Sequence, residues 1–300
     1  MRTALIHSPS TEDKALVVGS IMTTKGCGVE YFNIKRIWDS AYCRNPVQVL
    51  DSKSHLVYIS DGDSDDLSSF LFFAGMALGK GIRVIVVEIA KGLVIPENIR
   101  HLGVVLKPEE FEDFIYTEIE RFRIEDKKAH ARRILLDRGI SCFDENFIMM
   151  VTSGDAESVS LFLDAGFDPS LADAKGTPVL SLAVRAQFPK VVSRLIDAGA
   201  DINRLSHDRG YSPLMDAVQK NDAAIAGILL ERGADPDIRS KDGQTALVVA
   251  TGRGDADMCS LLLAHGASPD IKDSLGMSSK DYARLFKNEK LLELFNHTSS

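Results

Sequence analysis

The chain has 300 residues, of which 45% are apolar and 26% charged, a length and composition that suit two domains with buried cores and exclude a single small scaffold. No stretch approaches the roughly 20 apolar residues of a membrane-spanning helix, and the opening MRTALIHSPSTEDK lacks the apolar segment of a secretory signal, so a cytoplasmic location is expected. The net charge is −8, and the excess acid lies after residue 140, where 16 basic side chains face 23 acidic ones; such a surface disfavours phosphate backbones and anionic lipid, so neither nucleic acid nor a membrane is an expected partner.

Strands come first. Short apolar runs bounded by turn residues at Thr3 to His7, Val29 to Phe32, Leu56 to Ser60, Ile82 to Ile89 and Val104 to Leu106 alternate with helical-period segments. That alternation predicts a parallel sheet covered on both faces. Ligands of open α/β sheets bind beyond the carboxyl ends of the strands. Those ends carry His7 and Ser8, the run from Ser60 through Asp61 and Asp63, and Glu88 with Lys91, so Ser8, Asp61, Asp63 and Glu88 are the candidate ligand contacts. The run Asp61-Gly62-Asp63-Ser64-Asp65-Asp66 either caps the following helix or contacts a ligand or cation; it imitates a calcium loop only at its start, since Asp66 stands where that loop needs glycine and Phe72 where it needs glutamate. Mg²⁺ is disfavoured.

Gly26-Cys27-Gly28 reads as a helix C-cap turn, because it joins a helix to a strand and so lacks the helix N-terminus that cradles phosphate. Trp38, at helical spacing in IKRIWDSAY, reads as core. Cys27, Cys43, Cys142 and Cys259 show no CxxC spacing and the seven histidines no HxxxH or HExxH pair, so neither a disulfide framework, a zinc site nor any other resident metal is signalled.

The order of Leu56-Val57-Tyr58-Ile59-Ser60, an acidic turn, a helix ending Ala77-Leu78-Gly79-Lys80 and the strand from Ile82 resembles the nucleoside deoxyribosyltransferase and toll/interleukin receptor-like domains over about residues 1 to 120. The resemblance implies a flavodoxin-like fold and a nucleotide-like ligand or NAD as the cofactor to test. Those enzymes carry a glutamate on the helix before Gly-Lys, whereas Leu67 to Val87 has no carboxylate, and Phe70, Leu71, Phe72 and Phe73 occupy that neighbourhood. An apolar side chain cannot stabilise developing positive charge, so a binding domain is favoured. The competing reading is an NAD or nucleoside N-glycosidase or transferase using Glu88 or an acid of the Asp61 to Asp66 run, with the second half as a targeting or regulatory domain.

From Pro108 to Arg138 a long helix or helix pair is expected, opening Pro-Glu-Glu, with the run Arg121 to Arg133 as its solvated face. AHARRILLDRG, from Ala129, already has the pattern of the segments that follow, and no Gly/Ser/Pro-rich stretch intervenes. The boundary is therefore placed at 125/126, with a rigid connection between residues 1–125 and 126–300.

The second half repeats. Gly166, Gly199, Gly233 and Gly266 are spaced by 33, 34 and 33 residues, and Gly176, Gly210, Gly243 and Gly276 by 34, 33 and 33, each of the latter followed seven residues later by alanine. In each period a start such as Ser212-Pro213 or Thr245-Ala246 opens a short helix, a turn follows, and a second helix bearing Ile225, Leu229 or Met258, Leu262 ends at glycine. The glycine-led helix start, the alanine and the Leu-Leu-x-x-Gly-Ala-Asp close resemble the ankyrin repeat family. Three complete repeats lie near 176–208, 210–241 and 243–275, flanked by a degenerate unit at Phe147 to Asp173 and a short one at Gly276 to Phe295.

The resemblance implies an all-α solenoid with a concave face of finger loops and first helices that binds a protein partner. Exposed positions expected there are Arg185, Met215, Asp216, Gln219, Val248 and Val249, with Arg204, His207, Arg209, Arg239 and Lys241 on the fingers. Met215 and Val248 stand where the family carries histidine, as do Ser181 and Asp281; they are either anchors for a partner or repacked core. Losing the histidine removes a turn hydrogen bond, so modest stability is expected. Taken together, the expected architecture is a flavodoxin-like parallel α/β domain followed by an ankyrin solenoid.

Overall fold

The structure, a computed structural model, describes residues 1–34, 49–60, 64–88 and 103–297. Its contacts divide the chain into Met1–Asp126 and Lys127–Ser300.

In the first unit five strands, β1 (Arg2–His7), β2 (Gly28–Asn33), β3 (His55–Ser60), β4 (Arg83–Glu88) and β5 (Val104–Leu106), form one sheet in the order β2-β1-β3-β4-β5. Every pairing is parallel, with Leu5 opposite Tyr31 and Val57, and Val57 opposite Ile85. Each expected strand is present. The apolar runs are continuous because both faces are covered, and alternate side chains serve opposite cores. Ala4, Ile6, Leu56, Tyr58, Val84 and Val86 pack with Phe70, Phe73, Ala74 and Ala77 of α2 (Ser64–Gly79). Tyr58 and Phe70 stack there with ring centroids 4.2 Å apart. On the other face Leu5, Val57, Ile59, Ile85 and Val87 meet Ala15, Val18 and Met22 of α1 (Glu12–Thr24), and Phe111, Ile115 and Ile119 of α3 (Pro108–Asp137).

The turn after α1 is the helix cap expected: Gly26 has φ +84°, and the Cys27 amide donates to the Met22 carbonyl at 3.1 Å. Cys27 is buried, and burial pushes its thiol up, away from the thiolate that reactivity needs. Trp38, Cys43 and Lys91 lie outside the described residues. From Pro108 one continuous helix forms rather than a pair, and its later residues Ala131 and Leu135 belong to the core of the second unit.

That unit is a series of helix pairs: α4 (Asp144–Ser153) with α5 (Ala156–Asp164), α6 (Val179–Arg185) with α7 (Pro189–Asp197), α8 (Pro213–Lys220) with α9 (Ala223–Glu231), α10 (Ala246–Gly252) with α11 (Ala256–Ala264), and α12 (Ser279–Leu285) with α13 (Glu289–His297). The second helices α5, α7, α9 and α11 end alike. Gly166, Gly199, Gly233 and Gly266 take φ of +87° to +93°, and the next amide donates to a carbonyl five residues back, as Ala200 does to Leu195 at 3.0 Å and Ala234 to Leu229 at 2.9 Å. The end of α3 repeats the device, with Ile140 donating to Leu135 at 2.9 Å.

Three first helices, α8, α10 and α12, start on hydroxyls: Ser212 accepts from the Met215 amide and Thr245 from Val248, both at 3.3 Å, and Ser278 from Asp281 at 3.2 Å. Three second helices, α5, α9 and α11, start on aspartates. Asp155, Asp222 and Asp255 accept from Ser158, Ile225 and Met258 at 3.0, 2.9 and 3.0 Å. Replacing any of these aspartates with alanine is expected to cost about 1 kcal/mol in urea-unfolding free energy; an unchanged midpoint would show that the cap contributes nothing.

Consecutive units are laced by one recurring bond. The amides of Asp201, Asp235 and Ser268 donate to Ser170 Oγ, Asn203 Oδ1 and Asp237 Oδ1 of the preceding repeat at 3.1, 3.0 and 2.8 Å. Each repeat thus satisfies a backbone group of its neighbour, so the period seen in sequence is also a period of contacts.

Candidate protein-binding surface

Finger loops precede the first helices and are braced from within. Asp173 Oδ1 accepts from the amides of Lys175 and Thr177 at 2.9 and 2.8 Å, and Asp273 Oδ1 from those of Leu275 and Met277 at 2.9 and 3.1 Å. In the central repeats serine takes the place of aspartate, with Ser206 Oγ accepting from Tyr211 at 3.3 Å and Ser240 Oγ from Gln244 at 3.1 Å. These rigid turns present Arg209, Arg239, His207 and Lys241 as exposed side chains. Arg239 Nε also donates to its own loop at the Gly243 carbonyl, 3.3 Å away, and Lys241 Nζ donates to the His207 carbonyl of the preceding finger. Arg204 is half-buried and donates to the Ser170 carbonyl.

The first helices correct the expected surface. Gln219 is exposed, but Met215 is 0% exposed, Asp216 1%, Val248 4% and Val249 8%. The cause is lateral packing: α8 lies against both α6 and α10, and α10 against both α8 and α12, so side chains that leave the short helices sideways are covered by helices one repeat away. Met215 and Val248 are therefore core, not anchors for a partner.

Arg185 is not a free contact either. Its Nη1 donates to Asp208 Oδ2 at 2.6 Å and its Nη2 to Asp208 Oδ1 at 3.1 Å and Ser206 Oγ at 3.0 Å, while its Nε lies 2.9 Å from Asp216 Oδ1. One guanidinium thus joins α6, the finger of the next repeat and α8. Hydrogen bonding from Arg185 holds the Asp208 carboxyl far below the usual carboxylate range. Asp216 behaves oppositely. Its side chain is fully buried, and among the described residues neither oxygen receives a well-directed hydrogen bond. Burial accordingly pushes its carboxyl up to about 6, against the pull of Arg185.

Between the unfolded value near 3.8 and the folded value of about 6 the folded chain binds the extra proton, so stability falls as pH rises through that window. The loss is about 3 kcal/mol at one pKa unit per 1.36 kcal/mol. Asp216→Asn is expected to flatten this slope and to raise stability at pH 7. Parallel urea-midpoint curves for the two proteins from pH 4 to 7 would contradict it.

In the first unit, Ser8 is 2% exposed, and its hydroxyl lies 2.7 Å from Ser10 Oγ and 3.1 Å from Thr11 Oγ1, where it braces the turn into α1. It therefore presents no open group to a ligand. Asp61 and Asp63 lie outside the described residues, and Glu88 ends β4 with its side chain outside the description. No group of three or more metal-ligating side chains occurs among the described residues, and no described helix is long and apolar enough to cross a membrane.

The Asp208 and Asp216 partners of Arg185 escaped the sequence reading because nothing in the spacing between an arginine and an aspartate 23 residues on, in the next finger, announces a pair. The repeat register offered the one usable signal: a charged residue standing at a helix position that is apolar in neighbouring units, Leu182 and Val249.

Family models described as "Ankyrin repeats (3 copies)" and "Ankyrin repeat" match residues 147–240 and 242–274. An ankyrin repeat-containing protein of Treponema pallidum (strain Nichols) is 39% identical over 295 residues, covering 98% of this chain and 99% of its own length. Shorter similarities include the 2-5A-dependent ribonuclease of Homo sapiens, 35% identical over 24% of this chain and 10% of the ribonuclease, and an ankyrin repeat protein of Escherichia coli (strain K12), 31% identical over 31% of this chain and 45% of that protein. With its repeat lattice matched and the treponemal similarity running through both units, the chain belongs to the ankyrin repeat-containing proteins.

Proposed function

We propose that this protein is a cytoplasmic interaction protein whose ankyrin array holds a protein partner on its finger loops and first helices, while the α/β unit binds a small nucleotide-like ligand. The observation that carries the first part is the pair of successive braced fingers, one presenting Arg209 and the next Arg239 and Lys241, with Gln219 exposed beside them. Rigid loops that display long side chains lose little entropy on binding. Arg185 enters this surface as the brace of the Asp208 finger rather than as a contact, and the acidic balance of the unit speaks against nucleic acid.

For the α/β unit, the strand order β2-β1-β3-β4-β5 supports a flavodoxin-like assignment, in which ligands sit at the carboxyl ends of the strands. Binding is favoured over glycosidic cleavage because α2 carries no carboxylate from Leu67 to Gly79, and Phe70 and Phe73 are committed to the core.

The test compares captures from a cell extract by the wild-type chain and by Arg209→Glu, a variant on an exposed residue outside the finger-bracing bonds described above that is expected to keep its Tm. A protein retained by the wild type and lost from the variant supports the finger surface. Equal recovery would overturn it.

A further inference from the structure

At the amino ends of β1 and β3, the opposite edge of the sheet from the one just discussed, a cleft of about 270 Å³ is lined by Met1, Arg2, Ser52, Lys53, Ser54 and Phe122. Its charged lining side chains are both cationic, and one is unusual in being buried: the Lys53 side chain is 6% exposed, with its ammonium paired to the exposed Glu30. An ammonium has three donors, and one partner among the described residues leaves capacity for a ligand oxygen. Arg2 Nη1 reaches Ser52 Oγ at 3.5 Å. Ser52 itself holds φ +57°, a left-handed conformation that a serine adopts at a cost and that sets its hydroxyl at this rim.

The floor is braced by buried ionisable groups. Ser54 Oγ accepts from the Arg2 amide at 3.2 Å, donates to the Arg2 carbonyl at 3.0 Å, and lies 2.9 Å from His55 Nδ1. His55 Nε2 is 3.1 Å from Glu118 Oε1, and Arg83 Nε lies 3.0 Å from the same oxygen. The His55 and Glu118 side chains are 3% and 6% exposed, and the Phe122 ring meets the imidazole edge-on at 5.5 Å. Burial pushes the His55 pKa down despite Glu118, so the ring is neutral at pH 7, held between Glu118 at Nε2 and Ser54 at Nδ1.

From this cleft, its two cations, the Ser52 hydroxyl and its aromatic wall, we propose that the amino edge of the sheet binds a small phosphate monoester, with Arg2 and Lys53 on the phosphate oxygens and Phe122 against the organic group. Phosphate is favoured over carboxylate because a tetrahedral dianion can engage donors converging from several directions, whereas a planar carboxylate cannot use them all. The volume holds such a group with one ring and little more.

Calorimetric titration of the full chain with phenyl phosphate, inorganic phosphate, benzoate and phenol tests this. Saturable binding of phenyl phosphate is expected, weakened at least tenfold in Arg2→Gln and in Lys53→Gln, while Phe122→Leu weakens phenyl phosphate but leaves inorganic phosphate unchanged. Arg2 is exposed, so Arg2→Gln reports even if replacing the buried Lys53 disturbs folding. Absence of binding to either phosphate, affinity unmoved by Arg2→Gln, or benzoate binding as tightly as phenyl phosphate would each overturn the proposal. A nucleotide that binds with affinity insensitive to Arg2→Gln would speak for the carboxyl edge instead, which keeps the two sites distinguishable.

Discussion

Replacing Arg185 with alanine is expected to destabilise the ankyrin unit by about 3–5 kcal/mol, the usual cost of leaving a buried charge without its partner. Asp216 sits at 0% side-chain exposure with Arg185 Nε 2.9 Å away as its charge partner, and the same arginine makes two bonds to Asp208 in the next finger. Truncation therefore strands one carboxylate in the core and frees one finger at once. At roughly 2–4 °C per kcal/mol for a unit of this size, the melting temperature should fall by roughly 10 °C. The penalty should shrink toward pH 5, where Asp216, with its carboxyl raised to about 6, takes up a proton in the folded chain. Adding Asp216→Asn should recover part of the loss at pH 7, and that coupling is what a double-mutant cycle measures. A loss below 1 kcal/mol, or one independent of pH, would mean that Asp216 finds solvent or another partner once the arginine is gone.

A comparable loss is expected from Phe162→Ala in the degenerate first unit. Phe162 is 0% exposed, 5.4 Å from the Phe147 ring and edge-on to Phe167 at 4.8 Å, so the substitution removes one ring of a mutually packed aromatic trio. About 3–5 kcal/mol is typical for such a truncation. Because each repeat is supported mainly by its neighbours, the first pairs should lose hydrogen-exchange protection before α10 to α13 do. Uniform exchange across the array, or a cost under 1 kcal/mol, would show that α4 and α5 are not a structural part of the solenoid.

Local signals account for most of the architecture. An apolar run bounded by turns is a strand wherever both faces are to be covered, and all five runs form strands in a parallel sheet. The helix pairs were legible for a similar reason: a hydroxyl before the first helix and a glycine after the second act on backbone groups within five residues, so they operate before any neighbour is present. The aspartate caps at Asp155, Asp222 and Asp255 are equally local and were legible in principle, each three residues before the amide it satisfies.

The candidate surface was less legible. The fingers could be located, and Gln219, Arg209 and Arg239 are exposed as expected. Met215, Asp216 and Val248 were placed on the same face, and only the lateral approach of helices about 33 residues away in sequence shows that they are covered. Helical periodicity distinguishes one face of a helix from the other, but in a stack each first helix has neighbours on two further sides. The period of a sequence therefore determines the unit that repeats, its caps and its turns. Which side chains stay open to a partner, and which buried charges meet, as Arg185 meets Asp216 and His55 meets Glu118 across 63 residues, is decided by tertiary packing, because those contacts join elements that no local pattern relates.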